Sequence, residues 1–262
     1  MLLSIENLNL SVRDHQILRD VSVEVAEGET VGLVGESGSG KSTTARAALR
    51  LVPPGARMSG GVTVCGNTMT DPAVVRQVRR TTAAMIFQDP RSVLNPVRRI
   101  GDSATERLVH VQGITRAEAR TRIAELLVEV GLKDTERLLR CYPHQLSGGM
   151  LQRVVIAAAL SSAPRLLLAD EATSALDVTT QAEVLALLRR LQRKREMGVL
   201  FITHDLHLAA AYCDRVYVMK DGSIVNHQKG SEIFVNPTEP YTRALADAVP
   251  VLPERDPVEV RP

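Results

Sequence analysis

Residues 30–49 constrain the fold more than any other stretch. The apolar run Thr30-Val31-Gly32-Leu33-Val34 leads directly into Gly35-Glu36-Ser37-Gly38-Ser39-Gly40-Lys41-Ser42-Thr43, whose spacing fits G-x-x-x-x-G-K-S. The run Thr44-Ala45-Arg46-Ala47-Ala48-Leu49 then favours helix. Strand, glycine loop and helix in that order gather backbone amides, the positive end of a helix and one lysine around a common point. Such a cradle suits a phosphate chain. Gly35 to Thr43 are the expected phosphate-binding residues, with Lys41 on the β and γ phosphates and Ser42 on Mg²⁺. A charge-assisted contact of this kind contributes about 1.5–3 kcal/mol.

A second strand-like run, Leu166-Leu167-Leu168-Ala169, ends in Asp170-Glu171. Unpaired buried charge is costly, so two acids at the end of a buried strand need a reason, and a bound cation supplies one. A third apolar run closes on Thr203-His204, and a fourth on Phe87-Gln88. In an open parallel sheet, ligands sit at the carboxyl ends of the strands. The expectation is that Gly35, Gln88, Asp170 and His204 meet at that edge. His207 carries no expected role.

Leu146-Ser147-Gly148-Gly149-Met150, followed by Gln152 and Arg153, opens a helix continuing through Val154-Val155-Ile156-Ala157-Ala158. Glycines expose its first amides and Ser147 adds a hydroxyl, which makes a second anion site at a helix N-terminus. One γ-phosphate does not need two cradles from one subunit, so this site points to a partner.

The 262 residues suffice for one large α/β domain with an insertion, and 44% hydrophobic content allows a substantial core. The balance of 32 basic against 30 acidic residues argues against a dedicated nucleic-acid binder. No apolar run approaches the ~20 residues needed to cross a bilayer. The start Met1-Leu2-Leu3-Ser4 does not read as a signal peptide, so a cytosolic chain is expected. Cys65, Cys141 and Cys213 are far apart and form neither a disulfide framework nor a metal cluster. Leu8, Leu10 and Val12, then Val21, Val23 and Val25, alternate as strands around a turn at 13–16. Residues 97–160 read mostly as helix, with a capping box at Thr115 and Glu118 and a stop at Gly131. Asp221-Gly222 marks a late hairpin.

Together, the phosphate loop, the glycine pair at 148–149 and Asp170-Glu171 resemble the ATPase subunit of an ABC transporter, over about residues 3–249. Asp89-Pro90 with Leu94-Asn95-Pro96, Tyr142-Pro143-His144, and Pro240-Tyr241-Thr242-Arg243-Ala244-Leu245 are similar to the dipeptide, oligopeptide and nickel importer branch. The resemblance implies an α/β P-loop ATPase core of the RecA-like type, with an N-terminal antiparallel β subdomain and an inserted α-helical subdomain. It divides the chain into a cassette at 1–249 (core 1–88 and 161–235, helical part 89–160) and a C-terminal extension at 236–262.

It also implies roles. Glu171 becomes the general base, Asp170 a magnesium ligand, and His204 the γ-phosphate contact. Gln88 reaches the metal and the attacking water, and couples nucleotide state to the helical part. Leu146, Ser147, Gly148, Gly149 and Gln152 serve the ATP of a second ATPase subunit. Ser174, Ala175, Leu176 and Asp177 form the loop at the dimer seam, and Asp177 also suits a helix cap. Two transmembrane permease subunits, and through them an extracytoplasmic solute-binding protein, are the expected partners. A groove at 88–96 receives a permease helix, and the subunit lies on the cytoplasmic face of the membrane. Peptides, nickel and metal chelates are all cargo of this branch.

The sequence departs from the pattern in two places. No aromatic residue precedes Phe87 to stack on adenine, and His15 is expected to substitute. Ala172 replaces a proline after the base, with little consequence expected. The arginines at 76, 79, 80, 91, 98 and 99 read as a solvated face or as a surface for anionic headgroups beside the permease, and the basic run at 189–195 reads as a solvated helix end. The rival readings are an ABC ATPase acting on DNA or ribosomes, which usually carries long coiled coils or a tandem cassette, and an exporter subunit.

Overall fold

The computed structural model describes residues 1–174 and 176–247. The expectations for Ala175 and for the tail after Asp247 therefore fall outside the described residues.

Among the described residues, ten strands and ten α-helices follow in order. They are β1 (Leu3–Val12), β2 (His15–Val25), β3 (Thr30–Val34), α1 (Lys41–Ala48), β4 (Ala56–Val64), β5 (Asn67–Thr68), α2 (Pro72–Thr81) and β6 (Ala83–Ile86). Then come α3 (Pro90–Val93), α4 (Ile100–His110), α5 (Arg116–Glu129), α6 (Thr135–Arg140) and α7 (Gly148–Leu160). The chain returns through β7 (Leu166–Asp170), α8 (Val178–Arg195), β8 (Gly198–Thr203), α9 (Leu206–Tyr212), β9 (Arg215–Lys220), β10 (Ser223–Lys229) and α10 (Pro240–Asp247).

Two sheets form. One is antiparallel, in the order β2-β1-β4-β5; the other runs β10-β9-β3-β8-β7-β6, with its last five strands parallel. Parallel strands covered on both faces read as continuous apolar runs, which explains Leu166 to Ala169 and Val199 to Ile202. Alternate residues divide between two cores. Leu166, Leu168, Leu200 and Ile202 pack toward the antiparallel sheet and α1. Leu167, Ala169, Val199 and Phe201 pack toward the inserted helices, α8 and α9.

Local sequence accounts for most boundaries. Thr115 and Glu118 form the expected reciprocal cap of α5, and Gly131 follows that helix with φ 85°. Asp177 accepts from the amide of Thr180 and caps α8. The turn between β1 and β2 is tighter than expected. Val12 pairs with His15 and Ser11 with Gln16, leaving only Arg13-Asp14 as turn, with Arg13 left-handed at φ 55°.

The basic stretches are also less solvated than their composition suggests. Arg190 donates to the carbonyl of Glu129, and Lys194 and Arg195 pair with its carboxylate. Arg79 donates to the carbonyl of Leu49, and Arg98 pairs with Glu106. Long basic side chains here tie helix ends together, which composition alone does not reveal. Of the three thiols, Cys213 is buried and Cys65 and Cys141 are half-buried.

Candidate active site

The site lies at the carboxyl edge of the parallel sheet. Strands β3, β8, β7 and β6 are neighbours in that order. The residues that follow them, Gly35, His204, Glu171 and Gln88, are therefore brought to one edge. Asp170 is still part of β7, not just beyond it, and is fully buried.

The phosphate loop is shaped by what packs behind it. Gly35 has φ 151°, and a Cβ there would lie 2.1 Å from the carbonyl oxygen of Met219. Gly40, at φ 106°, would press a Cβ into Met219 and Leu18. The amide of Gly222, in the β9–β10 turn, donates to Ser39 O at 3.0 Å and braces the loop from outside. Lys41 Nζ donates to the carbonyls of Gly35 (2.7 Å) and Glu36 (2.6 Å). Burial lowers the Lys41 pKa, and the charges of Glu171, Asp170 and Glu36 oppose that shift without cancelling it.

Ser42 Oγ donates to Asp170 Oδ1 at 2.6 Å. Burial raises the Asp170 pKa, against the lowering effects of the Ser42 bond and of Arg46, whose guanidinium stands 3.4 Å from Oδ2. Glu171 has the left-handed φ of 47°, unusual for a residue with a side chain. Its amide is fixed by the carbonyl of Ile202 at 3.0 Å. Its carboxylate accepts from Gln88 Nε2 at 2.7 Å and lies 3.5 Å from His204 Nδ1.

These groups share a cavity of about 420 Å³. Ser37, Gly38, Gly40, Lys41, Ser42, Thr43, Gln88, Glu171 and His204 line it together with Ile17. Two participants escaped the sequence reading. Ile17 follows His15 by two residues on β2, so strand alternation was its only signal. Arg46 stands four residues after Ser42 on α1, a helical spacing that puts both on one face. His15 is exposed and is not among the lining residues.

The glycine helix start lies elsewhere. Ser147 caps α7, its Oγ accepting from the amide of Met150 at 3.3 Å, which leaves its proton free to donate. None of residues 146–149 lines the phosphate cavity. Gly149 also has a packing reason, since a Cβ there would meet Thr180 Cγ2 at 2.5 Å. Gln152 corrects an expectation. It is 1% exposed and points into the core, so it does not face a partner's nucleotide. Helical periodicity explains this: Gln152 shares the inward face of α7 with Val155, Ile156 and Ala159.

The arrangement defines a phosphate-binding cassette, and the comparisons give its class. A family profile described as ABC transporter matches residues 18–174, and the chain belongs to that family. It is 43% identical over 267 residues to the glutathione import ATP-binding protein GsiA of Escherichia coli K12. That match covers 95% of this chain but 42% of GsiA, so the chain spans less than half the length of this relative. Among solved structures, cbiO1 from Clostridium perfringens, part of the ABC transporter complex cbiONQ, aligns with a TM-score of 0.78 at 26% identity, covering 90% of this chain and 91% of its own. A dimeric ATP-binding cassette in a post-hydrolysis state with ADP and Pi aligns at 0.75 with 29% identity, covering 87% and 98%.

Proposed function

We propose that this chain is the ATP-binding subunit of an importer, hydrolysing ATP to drive uptake of a small peptide or related solute through a separate permease. The observation that carries this reading is the single cavity joining the phosphate loop to Gln88, Glu171 and His204. The loop amides and Lys41 bind the phosphates. Glu171, held by Gln88, takes the proton of the attacking water, and His204 steadies the γ-phosphate. Ser42 and Asp170 offer a hydroxyl and a carboxylate 2.6 Å apart, hard oxygen donors that fit Mg²⁺ shared with substrate phosphates. When bound, Mg²⁺ polarises the phosphate oxygens.

Adenine lies against Ile17, with His15 next along the same strand face. An ATP KM raised several-fold in His15→Ala supports that contact, and an unchanged KM removes it. Ser147, Gly148 and Gly149 close over the ATP of a second ATPase subunit, and Leu176 and Asp177 flank the seam. The helical part at 89–160 carries the permease groove beside Gln88. Among the described residues no helix is long and apolar enough to cross a membrane. As the proposed importer subunit, the chain sits peripherally on the cytoplasmic face, held by two permease subunits served by a solute-binding protein. The glutathione import named for GsiA supports a peptide cargo.

The test is recovery of tagged Glu171→Gln protein with ATP from source membranes in mild detergent. Two permease chains support import. Ribosomal proteins or DNA-repair factors without a membrane chain leave only the ATPase chemistry.

A further inference from the structure

Helix α10 packs against α9, with Tyr241 reaching Lys220 at the end of β9, and none of the chemistry above uses it. Its start is tied to β10. Asn226 Nδ2 donates to Thr242 Oγ1 at 3.0 Å, and Thr242 is fully buried. Glu239 Oε2 accepts from the amides of Tyr241 and Thr242 and caps the helix. These bonds fix the direction of Tyr241. Its ring lies under the Lys220 ammonium, 4.6 Å from nitrogen to centroid, a favourable cation–π geometry. Lys220 directly follows Met219, the residue whose carbonyl forces a glycine at position 35. The tyrosine is thereby held next to the first residues of the loop.

The Tyr241 hydroxyl oxygen is buried and has no hydrogen-bond partner among the described residues. An unpaired buried hydroxyl is unfavourable. Glu36 is the acid beside it; burial first, and that carboxylate second, push the Tyr241 pKa up to about 12, so the group is a neutral donor at physiological pH. Glu36 also matters on its main-chain side, where its carbonyl accepts from Lys41. A bond to the Glu36 side chain would therefore act on the segment that places the lysine.

We propose that Tyr241 is a positioning residue of the phosphate loop, its hydroxyl donating to the Glu36 carboxylate when the loop wraps ATP, so that α10 is coupled to nucleotide affinity. The inference rests on the reading of residues 35–43 as the phosphate loop.

The test is calorimetric titration of Mg-ATP into the full chain carrying Glu171→Gln, with Tyr241→Phe, Glu36→Ala, or both added. Tyr241→Phe keeps the ring under Lys220 and removes only the oxygen. It should weaken ATP binding about 3- to 10-fold. The double variant should bind no more weakly than the worse single one, because both delete the same bond. A Tyr241→Phe affinity within twofold of its parent overturns the proposal, even if the thermal midpoint falls. Losses that multiply in the double variant overturn it as well. Absence of ATP binding in the parent protein sinks the phosphate-loop reading itself, and this inference with it.

Discussion

Glu171 holds a conformation that costs about 1–2 kcal/mol for a residue with a Cβ. It is kept there by the strand neighbour that accepts its amide and by the Gln88 amide on its carboxylate. Strain of this kind persists only where the surroundings over-determine it. With Glu171 as the proposed base, replacing it by Gln keeps the shape and removes the proton acceptor. ATP hydrolysis should fall about 10²- to 10⁴-fold while ATP binding persists, measured as phosphate release beside a binding titration. Retained turnover would assign the proton to another group. At this scale the sequence was informative about identity and poor about direction. That Lys41, Ser42 and Glu171 come together around one cavity was legible because their spacing and strand context are narrow. Ile17 and Arg46 were not, because each becomes part of the site only when β2 and α1 are packed against it. Gln152 was misread because a motif does not say which face of its helix turns inward.

Elements bring these residues together. The parallel register β3-β8-β7-β6 puts four strand ends at one edge, and the apolar runs predicted that correctly. Less legible was the contact between the start of α7 and the start of α8. Gly149 sits against Thr180, whose hydroxyl is held by Asp177 at 2.7 Å. Gly149→Ala should destabilise the fold by about 1–3 kcal/mol through overpacking. Adding Thr180→Ser removes the clashing methyl and keeps the hydroxyl, so much of the lost thermal midpoint should return. No recovery in the double variant would show that the glycine answers to something other than this contact.

Across the molecule, Glu29 joins the entrance of β3 to β9 through Arg215, with Nε to Oε1 at 2.6 Å. Burial raises the Glu29 pKa, but the Arg215 bond and the amide of Ala26 outweigh it and leave the carboxyl below its usual range. A depressed carboxylate contributes stability above its unfolded pKa, and that contribution is lost as pH falls through the folded value. Glu29→Gln should therefore lower the thermal midpoint clearly at neutral pH and much less below about pH 4. Equal losses at both pH values would remove the ion pair from the account. The alternation of β1 and β2 was visible in the sequence, and the antiparallel subdomain beside an α/β core was implied by the family resemblance, but the division into two cores was not. The tethering of α10 to β10 was not visible either, since it depends on pairs such as Asn226 with Thr242.

In the proposed mechanism, residues 35–43 hold the phosphates of ATP beside Glu171. Calorimetry with ATP and Mg²⁺, comparing Glu171→Gln with Glu171→Gln carrying Lys41→Ala, tests it most directly. Saturable binding is expected of the first and at least about tenfold weaker binding of the second. Equal affinity in the two proteins would contradict it.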